Sequence, residues 1–327
     1  MKTNTKIAVI VPCYRVRDHI LDVCESMPEW VDYIVLVDDA CPERTGKFAK
    51  ERLEDSRCRI IVHPKNLGVG GAMKSGYREA LKTDATIFIK IDGDGQMDAS
   101  ELEALIQPLI SGSADFAKGN RFYDVKAFYQ MPFGRRLGNL GLTLLAKFAT
   151  GYWDVSDPTN GYVAIHRSAL ELLDIHKMDN GYFFECKQLV ELNIIRAVIA
   201  EIPMPAKYGN ESSSLSIRKT LLVFPFKLMR AFTRRIVWRY FVYSMGATTI
   251  FLSLGGILFT GSLVFGLHRW YLGAFGDHAQ SAGTVALGLF PAIIGFQMLL
   301  QAMILDILEK PSQPIQTKWK HAFDPDR

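Results

Sequence analysis

Between residues 5 and 110, short apolar runs rich in β-branched residues alternate with stretches of helical period. Ile7–Val11, Tyr33–Val37, Arg59–Val62 and Thr86–Ile91 are near-continuous apolar runs, the pattern of strands buried on both faces. After each comes a helical pattern: Asp18–Met27, Glu43–Leu53, Val69–Leu81 and Ser100–Ile110. This alternation predicts βαβ units, an α/β fold with a mostly parallel sheet and flanking helices. Ligands collect at the carboxyl ends of such strands. The polar residues lie there: Pro12-Cys13-Tyr14 after the first strand, Asp38-Asp39 after the second, Asn66 after the third, Asp92-Gly93-Asp94 after the fourth.

The pattern then changes. Phe241–Leu267 and Ser281–Leu305 are both free of charge, and each exceeds the roughly 20 apolar residues that cross a hydrocarbon core. Both read as transmembrane helices, joined by a loop, His268–Gln280, in which Trp270 and Tyr271 stand where an interfacial aromatic belt would. Just before them, Arg218, Lys219, Lys227, Arg230, Arg234, Arg235 and Arg239 form a segment without a single acid. On a helical wheel Lys227, Arg230 and Arg234 share one face, and Leu228, Met229, Phe232, Ile236 and Tyr240 cluster opposite. A basic amphipathic helix of this kind lies in the membrane interface and attracts anionic lipids; nucleic acid is not an expected partner. Cations flank the outer ends of the two spans, whereas the loop holds one full cation, Arg269. The positive-inside rule therefore places both termini in the cytoplasm and the loop outside.

The expected organisation is a cytosolic domain over 1–217, an interfacial helix over 218–240, two membrane helices with a short external loop over 241–307, and a cytosolic tail over 308–327. The protein is a multi-pass protein of the cell (inner) membrane on this reading. Composition sharpens it. The 327 residues are 49% hydrophobic and 22% charged, with a formal net charge of +4. The basic segment alone exceeds that surplus, so the remainder is mildly acidic. Such apolar content excludes disorder. Five cysteines, an odd number without C-x-x-C spacing, fit a reduced compartment rather than a disulfide framework or zinc site. The N-terminal apolar stretch, Ile7–Pro12, is too short for a signal-peptide core and reads as the first strand.

Two carboxylates two residues apart at a strand end, Asp92 and Asp94, can share a divalent cation, and oxygen ligands with diphosphate oxygens suit Mg²⁺ or Mn²⁺. Asp38 and Asp39 can accept hydrogen bonds from a base and a ribose, or cap the helix beginning near Pro42. The glycine-rich run Asn66–Gly76 lacks the Walker Gly-Lys-Ser/Thr ending and the third glycine of the dinucleotide fingerprint. Tight strand-to-helix packing is the better account of it.

The ordered series VPCYRV, VDDACPERTG, NLGVGGAMKSGY, IDGDGQMD, DPTNGY and IPMPAKYGNESSSL resembles family 2 glycosyltransferases of the Rossmann-like GT-A fold. Within them it is most similar to the polyprenyl-phosphate glycosyltransferases. The resemblance covers about residues 5–220, and the two apolar spans match the bactoprenol branch. It implies that Pro12, Tyr14, Asp38 and Asp39 line the nucleotide pocket, with Asn66 beside them. Asp92 and Asp94, with Gln96, would hold the metal and the donor diphosphate. Arg121 would touch phosphate, and Asp157 would face the donor sugar or the acceptor. Two motifs depart from the family. Tyr-Asn-Glu is here Tyr14-Arg15-Val16, and Asp-Asp-Gly-Ser is Asp38-Asp39-Ala40-Cys41, which leaves donor identity open. The Gln-x-x-Arg-Trp signature of processive synthases is missing.

The expected reaction is inverting transfer of a hexose from a nucleotide-sugar, UDP-glucose before GDP-mannose, to polyprenyl phosphate. An acceptor phosphate is mostly ionised near pH 7, so no general base is needed. Arg135, Arg136, Lys207 and Arg218 join Arg121 as candidates to hold that phosphate. Two other classes stand beside this one. A glycan or glycolipid hydroxyl as acceptor would require a true base, for which Asp157 is the candidate; a non-catalytic scaffold partnering a lipid-sugar flippase would have kept only the fold. Gly246, Gly255, Gly256 and Gly261 permit close helix packing and a homo-oligomer.

Overall fold

A computed structural model describes residues 5–123, 133–205, 217–276 and 279–322. The chain forms two compact units, one of residues 1–235 with 311–327, the other of residues 236–310.

The first unit is built on a seven-stranded sheet: β1 Ile7–Cys13, β2 Tyr33–Asp38, β3 Cys58–Val62, β4 Ile87–Lys90, β5 Phe116–Asn120, β6 Val163–His166 and β7 Ile199–Pro203. The order is β3-β2-β1-β4-β6-β5-β7. Helices α1 Ile20–Glu25, α2 Thr45–Arg52, α3 Val69–Ala80 and α4 Leu102–Ile110 follow the first four strands, as the apolar pattern predicts. They are joined by α5 Phe133–Thr150, α6 Arg167–Leu172 and α7 Phe184–Ile194. Successive residues of β1 and β2 face opposite sides, so two cores form. Ala8, Ile10, Val35 and Val37 pack with α3 on one side; Ile7, Val9, Val11, Ile34 and Leu36 pack with α1 and α4 on the other. Glycine makes the first contact possible, because a Cβ on Gly76 would lie 2.3 Å from Ile10 Cγ2. The glycine-rich run is thus a packing device.

One strand breaks the parallel pattern. β6 pairs antiparallel with both β4 and β5, Val163 lying opposite Lys90 and Lys118. Reversal puts the start of β6, rather than its end, at the carboxyl edge of the sheet. The loop before it, Asp157-Pro-Thr-Asn-Gly-Tyr162, is thereby delivered to the edge where β4 ends in Asp92-Gly93-Asp94 and β5 ends in Asn120-Arg121.

A basic amphipathic helix is present, α8 Ile217–Ile236, but its faces serve other ends than expected. Lys227 bonds Asp179 at 2.7 Å, and Arg234 bonds Glu191 through Nε at 2.8 Å. Leu228, Ala231 and Arg235 are buried. Arg235 donates to the carbonyls of Ala149 and Phe148, which are among the last carbonyls of α5 and so lack partners within it. The exposed face carries Phe226, Met229 and Arg230. Cations assigned to lipid headgroups therefore fasten the helix to its own domain, because acids of the 179–191 region stand opposite them.

In the second unit a π-helical stretch, Val237–Tyr243, precedes two long helices, α9 Ala247–Phe275 and α10 Ala282–Leu308. Both are long and apolar enough to cross a membrane, with mean hydropathies of 2.0 and 1.8 over their most apolar windows. Phe241–Tyr243 lies before the break at Ser244–Gly246, and Arg269, Trp270 and Tyr271 fall in the last turns of α9 rather than in a loop. A helix carries its polar end beyond the apolar window that identifies it. The pair meets where a Cβ on Gly255 would lie 3.0 Å from Gly295 O; Gly246, Gly256 and Gly261 have nothing within 4 Å among the described residues.

After α10 the chain returns to the first unit as α11 Ile315–Ala322. Asp115, wholly buried, accepts from the backbone N–H groups of Ile315 at 2.9 Å and Gln316 at 3.1 Å, and from Val198 at 2.9 Å. Ile315 joins the core. The segment expected as a cytosolic tail over 308–327 thus packs, through Ile315–Ala322, on the first unit.

Candidate active site

The carboxyl edge of the sheet gathers the loops after β1 to β5 and the loop before β6. After β1, Pro12 is buried and Tyr14 is 44% exposed. A Cβ on Gly93 would lie 3.3 Å from Pro12 O, so the loops after β1 and β4 touch. After β2, Asp38 and Asp39 are each 2% exposed. Asp38 accepts from Cys41 N at 2.7 Å and Gly46 N at 2.6 Å. Asp39 accepts from Leu67 N at 2.8 Å and Gly68 N at 2.7 Å, and bonds His63 Nδ1 at 2.7 Å. His63 Nε2 in turn meets Ser75 Oγ at 2.9 Å. Both carboxylates thus hold loops: Asp38 the turn into α2, Asp39 the approach to α3. Asn66 is exposed and closes an Asx turn onto Gly68 N. The Gly-to-Ala departure has a structural cost, for Ala40 sits at φ +52°, a conformation glycine adopts freely.

The loop after β4 carries the Asp-x-Asp pair. Gly95, at φ +73°, turns it, and Asp94 Oδ1 accepts from Gln96 N at 3.1 Å. Asp92 is held from beneath. Lys90, a buried ammonium on an otherwise apolar strand, lies 2.9 Å from Asp92 Oδ1 and 3.1 Å from Glu185 Oε1 of α7. Burial works against this ammonium, but the two carboxylates overcome it and raise its pKa. Gly161 completes the arrangement: a Cβ there would lie 2.2 Å from Lys90 Nζ and 3.0 Å from Asp92 Oδ2.

A second buried lysine, Lys118 of β5, donates to the Asn160 carbonyl. Burial pushes its pKa down to about 8, against the pull of Asp157 and Glu185. Asn160 ties the loop back to β5 through Gly119 O at 2.7 Å. Arg121 and Asp157 form a two-pronged pair, Nε to Oδ2 at 2.8 Å and Nη2 to Oδ1 at 3.0 Å. The side chain of Arg121 is 40% exposed and that of Asp157 is not exposed at all.

The structure therefore brings Asp92, Asp94, Gln96, Arg121 and Asp157 to one sheet edge with Pro12, Tyr14, Asp38 and Asp39. Lys207 lies outside the described residues, as do the side chains of Arg135, Arg136 and Arg218. Sequence reasoning missed Lys90, Lys118, Glu185 and Glu201. The first two had a signal, a lone lysine in a run that is otherwise buried: Ile-Phe-Ile-Lys90-Ile and Ala-Asp-Phe-Ala-Lys118. As a metal site the edge offers hard oxygen donors from two carboxylates. Among the described residues no cluster of three or more His, Cys, Asp or Glu could hold an ion by itself. The donor set fits a cation completed by diphosphate oxygens, not a cation caged by protein alone.

Residues 8–173 match the glycosyl transferase family 2 description. The chain belongs to that family. UDP-N-acetylglucosamine–dolichyl-phosphate N-acetylglucosaminyltransferase of Methanococcus voltae is 30% identical over 68% of this chain and 92% of its own length. Dolichol-phosphate mannosyltransferase of Pyrococcus furiosus is 26% identical over 71% of this chain and 64% of its own. Among solved structures, glucosyl-3-phosphoglycerate synthase of Mycobacterium tuberculosis, in complex with Mn²⁺, UDP-glucose and phosphoglyceric acid, superposes with a TM-score of 0.53. It shares 20% identity and covers 72% of this chain and 80% of its own, a likeness of fold. The family 2 protein is thus a glycosyltransferase, with two helices fit to span a membrane following its transferase domain.

Proposed function

We propose that this glycosyltransferase moves a hexose from a nucleoside-diphosphate sugar to the phosphate of a membrane polyprenyl phosphate. The observation that carries the reading is the reversed strand β6, which places the Arg121–Asp157 pair beside Asp92-Gly93-Asp94 at one sheet edge. A carboxylate pair that can share a cation with a diphosphate thus stands next to a half-exposed guanidinium that can receive a second phosphate. The activities for which the archaeal relatives are named support the acceptor class. They add UDP-N-acetylglucosamine to UDP-glucose and GDP-mannose as donors to assay.

In this reading Asp94 and Asp92, with Gln96 nearby, would hold Mg²⁺ or Mn²⁺ together with the donor diphosphate, and such an ion would supply positive charge to the leaving group. Tyr14 and the loops braced by Asp38 and Asp39 bound the nucleotide pocket. Arg121 orients the acceptor phosphate, whose oxygen attacks the anomeric carbon in line. The new carbon–oxygen bond forms as the bond to diphosphate breaks, inverting an α-linked donor. The attacking oxygen is already ionised, so no side chain has to remove a proton.

Connectivity supports a membrane placement. The chain enters helices α9 and α10 from the first unit and re-enters that unit at residue 311, which supports a hairpin with both ends on one side, and the cation bias favours the cytoplasmic side. Leu140, Leu144 and Leu145 of α5 and Phe226 and Met229 of α8 are exposed apolar residues of the same unit, suited to the acyl boundary. Anionic lipids would be met by Arg230, since Lys227 and Arg234 are bonded inward.

The test is incubation of membranes containing the protein with each labelled nucleotide-sugar and polyprenyl phosphate. Label in an organic-extractable, mild-acid-labile lipid is the expected result, lost on Asp94→Asn substitution and in excess EDTA. Label confined to polymer or acid-stable glycolipid overturns the acceptor assignment. Transfer that persists in EDTA overturns the metal.

A further inference from the structure

Asp157 has no exposed surface, and its oxygens are occupied. Oδ2 accepts from Arg121 Nε at 2.8 Å and from the Arg121 backbone N–H at 3.4 Å. Oδ1 accepts from Arg121 Nη2 at 3.0 Å and Thr159 Oγ1 at 3.4 Å. The backbone that carries Asp157 is fixed in turn. One oxygen of Glu201, Oε1, accepts from Ser156 N at 2.7 Å and Asp157 N at 3.0 Å. The other, Oε2, accepts from Asn120 Nδ2 at 2.9 Å. Asn120 Oδ1 then accepts from Phe122 N at 2.8 Å. Both neighbours of Arg121 and both residues at the loop start are thus bound into one network. The parallel register of β5 with β7, Asn120 opposite Pro203, puts Glu201 within reach.

We infer that Asp157 is the positioning residue for Arg121, fixing the direction in which its guanidinium meets the acceptor phosphate, and neither contacts the donor sugar nor acts as a base. This rests on the proposed transfer to a lipid phosphate. A base must reach the proton it removes, and a sugar contact must reach the substrate surface; a carboxylate without exposed area does neither. A fork-to-fork pair, by contrast, fixes the plane of a guanidinium as well as its place, and a lysine ammonium cannot reproduce that geometry. Glu201 and Asn120 support the pair from behind. The part of it that faces outward is Arg121, 40% exposed.

The experiment uses the full chain in phospholipid nanodiscs, with undecaprenyl phosphate varied at saturating labelled donor and the donor then varied at saturating acceptor. Asp157→Asn is expected to raise KM for undecaprenyl phosphate about tenfold by misaligning the guanidinium, with smaller change in kcat and none in donor KM. Arg121→Lys, which keeps the charge at a half-exposed position and so preserves the fold, should reproduce that shift. The double variant should be no worse than the poorer single one, since both remove one device. UDP affinity, measured by calorimetry without turnover, should be unchanged in all three. A collapse of kcat at unchanged acceptor KM, a raised donor KM, or single effects that multiply in the double variant overturns the inference. Failure of the underlying reading would show earlier and differently: the unsubstituted protein would bind UDP yet make no labelled lipid from any donor.

Discussion

The sharpest consequence of the site is that Gly161 has no room to be anything else. A Cβ added there would lie 2.2 Å from Lys90 Nζ and 3.0 Å from Asp92 Oδ2, whereas non-bonded heavy atoms settle near 3.5–4.0 Å. Lys90 would have to retreat by more than ~1 Å on that scale. It is the end of a flexible side chain, so the retreat would be cheap in solvent. Here the side chain is 2% exposed and bridges Asp92 at 2.9 Å and Glu185 at 3.1 Å. Moving the ammonium therefore opens at least one buried ion pair. Breaking such a pair costs about 3–5 kcal/mol when a partner is removed outright, and a displaced partner that keeps one contact loses about 2–4 kcal/mol on the same scale. For a domain of this size that is a fall on the order of 5–15 °C in Tm. The assay is thermal unfolding of the detergent-solubilised protein, alongside lipid transfer, for Gly161→Ala, Lys90→Ala and the double variant. Gly161→Ala should lower both stability and transfer, because Asp92 loses its anchor. In the Lys90→Ala background the same substitution should cost little, since the clash partner is gone. A Gly161→Ala change worth less than about 0.5 kcal/mol, the range of an ordinary surface substitution, would refute the reasoning. So would an equal cost in both backgrounds.

Three further outcomes follow from particular positions. Ala40→Gly should stabilise the protein by about 1 kcal/mol, because Ala40 holds φ +52° and a Cβ is penalised there; an unchanged urea midpoint would count against it. Lys118 should give stability that rises with pH. Its pKa is about 8 in the fold against 10.5 for the free group, so between those values the unfolded chain binds the extra proton. The slope should be missing from the difference curve of Lys118→Met, measured by urea unfolding between pH 8 and 9.5. Asp115→Ala leaves the N–H groups of Val198, Ile315 and Gln316 without their acceptor, at a cost of about 1–3 kcal/mol for each that water does not reach. Limited proteolysis should then cut between α10 and α11 in the variant and spare the unsubstituted protein.

Strands β1 to β4 were readable in the sequence because each is a short apolar run closed by a polar residue, and burial on both faces demands that pattern. Asp92 and Asp94 were readable for the same reason, standing where such a run stops. The antiparallel β6 was not. Val163–His166 is four residues long, and its direction is set by pairing with β4 and β5, which no local pattern encodes. The Arg121–Asp157 contact turns on that pairing, so from sequence the two appear as a phosphate contact and a contact to donor sugar or acceptor, not as a pair. The wheel of α8 identified a helix with a basic face yet could not say what the face meets. Arg235 reads as a surface cation until the end of α5 supplies the Phe148 and Ala149 carbonyls that allow its burial. The packing of the tail is not legible either, because α11 is only eight residues and its fastening depends on Asp115, two hundred positions away.

Charge at the sheet edge finally bears on the order in which substrates arrive. A mildly acidic domain has no general positive field with which to bind a nucleotide-sugar, so local cations must serve. The structure adds three local cations, Lys90, Lys118 and Arg121, but sets them among five acids: Asp92, Asp94, Asp157, Glu185 and Glu201. Lys90 and Arg121 are already paired with carboxylates, and Lys118 is buried against the Asn160 carbonyl. These eight groups alone are net acidic, before Asp38 and Asp39 are added, and repel a diphosphate and a lipid phosphate alike. The donor's diphosphate adds about two negative charges, which a divalent cation bound with it offsets. No cluster of three acids among the described residues could hold that ion alone, so metal and donor enter together and spare the acceptor phosphate the added repulsion at Arg121. Binding should accordingly be ordered, donor with metal before acceptor. A fluorescent polyprenyl phosphate titrated into the nanodisc-held protein should bind several-fold more tightly when UDP and Mn²⁺ are both present than with either alone, a coupling of about 1–2 kcal/mol. Equal affinity under all three conditions would show that the acceptor does not sense the charge at Asp92 and Asp94, and the ordering would fall.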